Sequence, residues 1–443
     1  MTSSVAETPP TRARFVTAAW LCGLSGILYL DRICMGKAVV PIQNDLGLSN
    51  SEIGDVNAAF TLAYGLFAVP AGRWGDKSGP RLVLATIVLG WSLFTILTGV
   101  AYGLLMLLVV RFLFGAAEAG AFPNAAKVVS RWYPESERGR VQGTMLAFAQ
   151  LGAVVAPAGA AYLIAAAGWR SAFFGFGILG IVWAIGFWIW FRDDPADHRS
   201  VNAAELAHIH TTSPPPATDP GPVPWRAVAV NRGVIVLSLI MVLGACFTYF
   251  FYFWFPKYLE TARGVENIRA GWLTSLVMAG SGFGMLAGGW LGDQIPRWTS
   301  ETVRARRYLA AISFFAAALC LFASLHSDDP ITMASLCCGS FFAMHITLPN
   351  WWSVAIPQGG RHTATLFGLM NGLGVLGAMA SVKLVGVFAD ERAARGLTGR
   401  AQWDPILEAY SIVLILAGIA WWLYRFTPLP EPPASSVPEE ATW

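Results

Sequence analysis

Apolar stretches separated by short polar breaks run along almost the whole chain. Twelve of them approach or exceed the roughly 20 residues that a helix needs to cross a bilayer's hydrocarbon core. They fall at roughly 15–42, 53–72, 82–101, 104–127, 140–166, 170–191, 233–257, 268–292, 307–325, 330–356, 362–388 and 407–426. Helices are the only open-ended elements that satisfy their own backbone in lipid. The pattern therefore predicts an all-α membrane protein with 12 transmembrane helices in two six-helix bundles. The bundles span 15–192 and 232–427, with a short polar N-terminal tail, 1–14, before them. A polar linker at 193–231, containing Ser213-Pro214-Pro215-Pro216, is expected on the membrane surface between them. The Pro-rich, acidic stretch 428–443 reads as a disordered tail.

The two halves repeat a loop. Gly72-Arg73-Trp74-Gly75-Asp76 returns as Gly289-Trp290-Leu291-Gly292-Asp293, each copy following the second apolar segment of its half. Such self-similarity is the mark of a parallel-repeat transporter plan. The second copy is degenerate, lacking equivalents of Lys77 and Gly79. The glycines are expected to allow close helix approach and a tight turn. Asp76 is expected to cap a helix or to pair with Arg140, and the bland alternative is a plain capped turn.

Composition removes other classes. Hydrophobic residues make up 55% of the chain and charged residues 13%, where a soluble domain carries about 25% charge. Most of the surface must therefore face lipid. The net charge of +3 includes no basic cluster with interleaved aromatics, so nucleic acid is not an expected partner. The cysteines, Cys22, Cys34, Cys246, Cys320, Cys337 and Cys338, all lie in apolar stretches, and no metal-ligand spacing or cofactor motif is seen. They read as reduced core residues. The apolar run from Phe15 continues past Asp31-Arg32 without a small-residue cleavage site, so it reads as a retained first span. Lysine and arginine concentrate in the loops that share a side with the N-terminus, which puts both termini in the cytoplasm of a multi-pass cell (inner) membrane protein.

Six spans plus six, a central inner loop and the doubled G-x-x-G-D loop resemble the major facilitator superfamily. In that superfamily the loop is a conformational latch, a role the resemblance gives to Gly72, Asp76, Arg140, Gly289 and Asp293.

Charges inside spans are expensive and mark functional sites by default. The first half holds Asp31, Arg32 and Lys37 in span 1, with Arg111 and Glu118 in span 4. Lys37 and Lys127 lie nearer span ends, where a lysine snorkels. Guanidinium holds a carboxylate bidentately and keeps its charge. A desolvated carboxylate can take a proton, and a nearby arginine opposes this. Substrate anion and proton can therefore compete or cooperate around one arginine. The alternative is a static cluster tying spans 1 and 4 together. Tyr64, Gln150 and Asn371 are further polar candidates, each alone more often a helix–helix hydrogen bond. His345 and Lys383 are isolated and receive no role. The second half offers aromatics instead, Tyr249 through Phe255 and Trp351-Trp352. They read as a wall for an apolar substrate face or as an interfacial belt, the belt fitting Trp254.

Further motifs sharpen the resemblance. They are Tyr-Leu-Asp-Arg at 29–32, Tyr64-Gly65, and Arg111-Phe-x-x-Gly-x-x-Glu118-x-Gly-x-Phe-Pro123-Asn124. To these are added Arg131-Trp132-Tyr133-Pro134-x-x-Glu137-Arg138-Gly139, Trp254-Phe255-Pro256-x-Tyr258-Leu259 and Gly368-x-x-Asn371-x-x-Gly374. The set is similar to the anion:cation symporter family of bacterial sugar-acid carriers and sialin-type organic anion transporters. The resemblance implies proton-coupled uptake of an organic carboxylate by alternating access, with a monomer sufficient. It makes Asp31 and Glu118 the proton-linked acids, and Arg32, Tyr64, Gln150 and Asn371 the substrate contacts. It has Arg111 pair with Glu118 or with the substrate carboxylate. Two departures, Val375 and the lack of an acid near Pro357, point from sugar acids toward less hydroxylated, phthalate-like acids.

A drug:proton antiporter of the same fold is the alternative. Gly152-x-x-x-Ala156-Pro157-x-Gly159 loosely resembles the antiporter signature, but a cation exporter has little use for Arg32 and Arg111. No HExxH, GxSxG or P-loop pattern in its structural context supports an enzyme.

Overall fold

The structure is a computed structural model that describes residues 9–209, 224–359 and 362–427, without the side chains of Asp76 and Ala364. The expected disordered tail, 428–443, lies outside the described residues. Twelve helical spans, long and apolar enough to cross a membrane, are present among the described residues. In the first half they are α1 Ala13–Leu46, α2 Asn50–Ser78, α3 Pro80–Gly99, α4 Leu104–Glu118 with α5 Ala121–Trp132, α6 Glu135–Ala167 and α7 Trp169–Trp190. The linker carries the short helices α8, Ala203–Ile209, and α9, Trp225–Val230. In the second half the spans are α10 Arg232–Phe253, α12 Asn267–Trp298, α13 Thr302–Ser324, α14 Pro330–Gly359, α15 Thr363–Ala394 and α16 Gly399–Leu423. The short α11, Phe255–Thr261, follows α10.

One correction to the sequence reading concerns the repeat, and the structure adds detail to the linker. The G-x-x-G-D segments are not turns. Both lie inside continuous helices, α2 and α12. In the first half the chain reverses at Gly79, whose φ of +78° suits a residue without a Cβ, and Pro80 then opens α3. Asp193 satisfies this helix start by accepting the Arg81 N–H at 2.8 Å. The linker is partly folded onto the first bundle. Glu205 of α8 is fully buried and accepts the Ala13 and Arg14 backbone N–H groups at 3.3 and 3.1 Å, so it caps α1. Arg14 in turn reaches Glu137 at the start of α6, at 3.2 Å.

The halves meet through α2 against α15 and α6 against α12. The contact is tight at one end, where α1 runs into α2. There Gly36 lies where a Cβ would sit 2.1 Å from the Tyr252 carbonyl oxygen. At Gly386 a Cβ would meet the Asn50 oxygen at 2.3 Å. Ion pairs and hydrogen bonds close the same end. Lys37 binds Glu260 and Asn267, Lys257 binds Gln43 and Asn50, and Lys383 pairs with Asp55 at 2.6 Å. Contact between the halves continues to mid-span, where Ser281 donates to Gln150 at 2.6 Å. Toward the other end several glycines meet no neighbour, while Gly75 and Gly120 pack within their own half. A Cβ at Gly139, Gly143, Gly289, Gly368 or Gly372 would meet nothing within 4 Å. The ion pairs and hydrogen bonds between the halves lie at the end near Gly47 and at mid-span, and none among the described residues joins them at the end that carries the repeated motif, so the halves are sealed at the first end and parted at the other.

Candidate functional site

Helix α1 brings Asp31 and Arg32 to its middle, and α4 ends at Glu118. A close approach brings α2 to the same place. At Gly115 a Cβ would lie 2.3 Å from the Phe60 carbonyl oxygen, so only glycine lets α4 sit this near α2. Asp31, Arg32, Arg111 and Glu118 are each at most 5% exposed. All four interact electrostatically.

Of the two partners expected for Arg111, Glu118 or a substrate carboxylate, Glu118 makes no hydrogen bond to it. Instead Arg32 donates from Nε to Glu118 Oε1 at 3.0 Å, and its Nη2 lies 2.9 Å from the same oxygen without hydrogen-bond alignment. Seven residues along one helix place Arg111 two turns from Glu118, whereas α1 presents Arg32 beside it. The guanidinium of Arg32 also lies 4.7 Å from the Tyr64 ring centroid and 5.2 Å from that of Tyr29.

Arg111 has a different environment. Its guanidinium stacks over Phe114 at 4.3 Å and near Phe60 at 5.2 Å. Its Nε, Nη1 and Nη2 have no hydrogen-bond partner among the described residues. Glu118 Oε2 is likewise unpartnered among the described residues, and the Asp31 oxygens make no well-aligned hydrogen bond, with the Trp91 indole as their polar neighbour. Buried polar groups are nearly always satisfied, and an unpaired buried charge is costly. Two arginines and two acids therefore make one pair and leave open donors and acceptors beside it.

The remaining expected site residues spread out from this cluster. Tyr64 is half-buried beneath Arg32. Gln150 is tied to Ser281 across the halves. Asn371 is exposed on α15, one turn from Val375, whose side chain meets Gly65 next to Tyr64. The latch residues lie about a dozen residues or less beyond, toward the parted end. Arg140 and Asp293 are exposed there, and the Asp76 side chain lies outside the described residues.

Two assignments to span ends are overturned. Lys37 does not snorkel. Its ammonium is buried in the seal on Glu260 and Asn267. Trp254 is not interfacial. It is fully buried, and its indole N–H donates to the Val382 carbonyl at 3.0 Å. Phe250 through Phe255 pack in the core, and only Tyr249 of the aromatic run stays half-exposed, as a neighbour of Arg32. Sequence reasoning missed Phe60, whose ring lies near both arginines, at 5.5 Å from Arg32 and 5.2 Å from Arg111. It also missed Asn57, fully buried one turn before Phe60 with both amide atoms unpartnered. An asparagine within an apolar span was the available signal.

Two six-span bundles meeting around buried, partly unpaired charge define a secondary transporter, not an enzyme. The chain belongs to the Major Facilitator Superfamily, whose family model matches residues 21–382. A probable sulfoacetate transporter of Cupriavidus necator is 31% identical over 375 residues, covering 84% of this chain and 86% of that one. A probable L-galactonate transporter of Escherichia coli is 29% identical, covering 78% and 76%. The D-galactonate transporter of Escherichia coli is 27% identical, covering 86% and 90%. Among solved structures, an inward-facing, occupied bacterial homologue of the human lysosomal transporter Spinster superposes with a TM-score of 0.76. It is 18% identical and covers 93% of this chain and 96% of that one, a likeness of fold.

Proposed function

We propose that this protein is a proton-coupled symporter that takes up a small organic anion by alternating access. The observation that carries the reading is Arg111, a fully buried guanidinium whose three nitrogens have no hydrogen-bond partner among the described residues. A planar fork of this kind is matched by a carboxylate or sulfonate, and a cation exporter has no use for it. Asp31 and Glu118 are the proton carriers, because each is a buried acid beside that arginine with an oxygen that makes no well-aligned hydrogen bond among the described residues. Arg32, Tyr64, Gln150 and Asn371 contact the substrate as the halves rock.

The surroundings of the arginines favour an acid with few hydroxyl groups. Phe60, Phe114 and Tyr64 supply ring faces to the two guanidinium groups. The similarity to a probable sulfoacetate transporter points the same way. With both termini in the cytoplasm, the sealed end faces out and the parted end faces in, so this conformation is the inward-open one. In this reading the chain sits in the inner membrane, and a monomer is sufficient, since one chain carries both bundles.

The test is uptake by the purified protein in liposomes with an imposed pH gradient. The panel holds sulfoacetate, phthalate and galactonate. Accumulation of sulfoacetate or phthalate that stops when the gradient is collapsed is the expected result. Galactonate accumulation alone would overturn the substrate class, and export of a cationic dye alone would overturn symport of anions.

A further inference from the structure

The repeated G-x-x-G segments serve a contact that repeats as well. Asn124 follows Pro123 just after the break between α4 and α5, and Asn350 follows Pro349 within α14. Each asparagine packs against the second glycine of its half's motif. A Cβ at Gly75 would sit 1.5 Å from Asn124 Oδ1, and a Cβ at Gly292 would sit 3.3 Å from Asn350 Oδ1. Both amides donate to the carbonyl four residues earlier, Asn124 to Gly120 at 2.8 Å and Asn350 to Ile346 at 3.0 Å. Both Oδ1 atoms lack a hydrogen-bond partner among the described residues, and both residues are 1% exposed.

The first-half asparagine does more. Its Nδ2 also lies 3.2 Å from the carbonyl oxygen of Ala71 on α2 and donates to it. It therefore fastens α2 to the break that begins directly after Glu118. Helix α2 carries one of the two main contacts to the opposite half, against α15, and α12 carries the other, against α6. Both asparagines thus join a helix at the half–half interface to the span running beside it.

We propose that Asn124 is the positioning residue that relays the charge state of Glu118 to α2; Asn350, on α14, holds the equivalent place against α12. The glycines at Gly75 and Gly292 are then the slots that seat these amides. The inference needs the Glu118 charge to bias the conformation, whatever the cargo.

Spin labels at Thr144 and Gln294, on the parted ends of α6 and α12, report that conformation in lipid nanodiscs without any substrate. Glu118→Gln is expected to change the ratio of parted to closed populations. In the Asn124→Ala background the same substitution is expected to change it about five-fold less, the worth of one net hydrogen bond. Gly75→Ala must displace the Asn124 side chain, so it is expected to mimic Asn124→Ala and to add nothing to it. Asn124→Asp keeps the shape without the donors and is expected to behave as the alanine does. Additive effects of Glu118→Gln and Asn124→Ala would overturn the relay and leave Asn124 a packing residue. So would a Glu118→Gln variant with unchanged distances, since there would be nothing to relay.

Discussion

Asp390 of the second half caps a helix of the first. Its two carboxylate oxygens accept the backbone N–H groups of Asn50 and Ser51 at 3.1 and 2.7 Å, at the start of α2. A carboxylate at a helix N-terminus satisfies orphan donors and complements the helix dipole. Here the cap exists only while the halves are sealed at this end, so a local rule of helix chemistry becomes an element of conformational control.

Asp390→Ala is therefore expected to loosen the seal. A lost cap of this kind is worth about 1–2 kcal/mol. A cysteine introduced at Val382, buried against α2 beside Gly54, should react faster with a membrane-impermeant maleimide in the Asp390→Ala background. An unchanged rate would show that the cap does not hold the seal.

Glycine position should decide tolerance in opposite ways at the two ends. Gly36→Ala places a Cβ 2.1 Å from the Tyr252 oxygen, and overpacking of this sort costs about 1–3 kcal/mol. Gly143→Ala meets nothing and gains helix propensity. Thermal unfolding of the purified protein should fall for the first and hold or rise for the second.

The Arg32–Glu118 pair carries the next expectation. Glu118→Gln should abolish gradient-driven accumulation while sparing exchange of substrate across the membrane. Retained accumulation would remove Glu118 from proton coupling. Arg32→Lys replaces a planar donor fork with a point charge. Affinity should fall roughly 10-fold or more, the worth of a charge-assisted hydrogen bond. Equilibrium binding of the accumulated acid checks it.

Lys257 gives the seal a pH dependence. It lies on α11, between spans, and burial pushes its ammonium down to about 8 from 10.5. In the parted state at this end the lysine is solvated and keeps its ordinary value. Between these two values the opened state binds more protons than the sealed one. Raising pH through that window should therefore favour the seal, and Lys257→Met should abolish the rise. Burial also raises the Glu260 carboxyl above 4.5, against the opposing pull of Lys37. The sealed state then binds more protons through the Glu260 range, so raising pH through that acidic range should weaken the seal, the opposite direction. Maleimide reactivity at Val382→Cys, corrected for the reagent's own pH dependence, reads both.

The two bundles and the buried charges were legible in the sequence for a physical reason. Lipid permits only long apolar helices, and a charge within one stands out against them. Asp31, Arg32, Arg111 and Glu118 were visible on these grounds alone. Helical periodicity was also a guide within one helix, where it separated Arg111 from Glu118 by two turns.

Periodicity carries no information about which helix lies alongside. Only the tertiary structure gave Glu118 to Arg32, left Arg111 open over Phe60 and Phe114, and drew Lys37 away from the membrane surface into a seal with Glu260. The same holds for the repeated motif. The chain displayed Gly75 and Gly292 as a repeat, but their partners Asn124 and Asn350 come from other spans. Composition and spacing fix what each helix is, and the packing of helices against one another fixes which charges and amides meet.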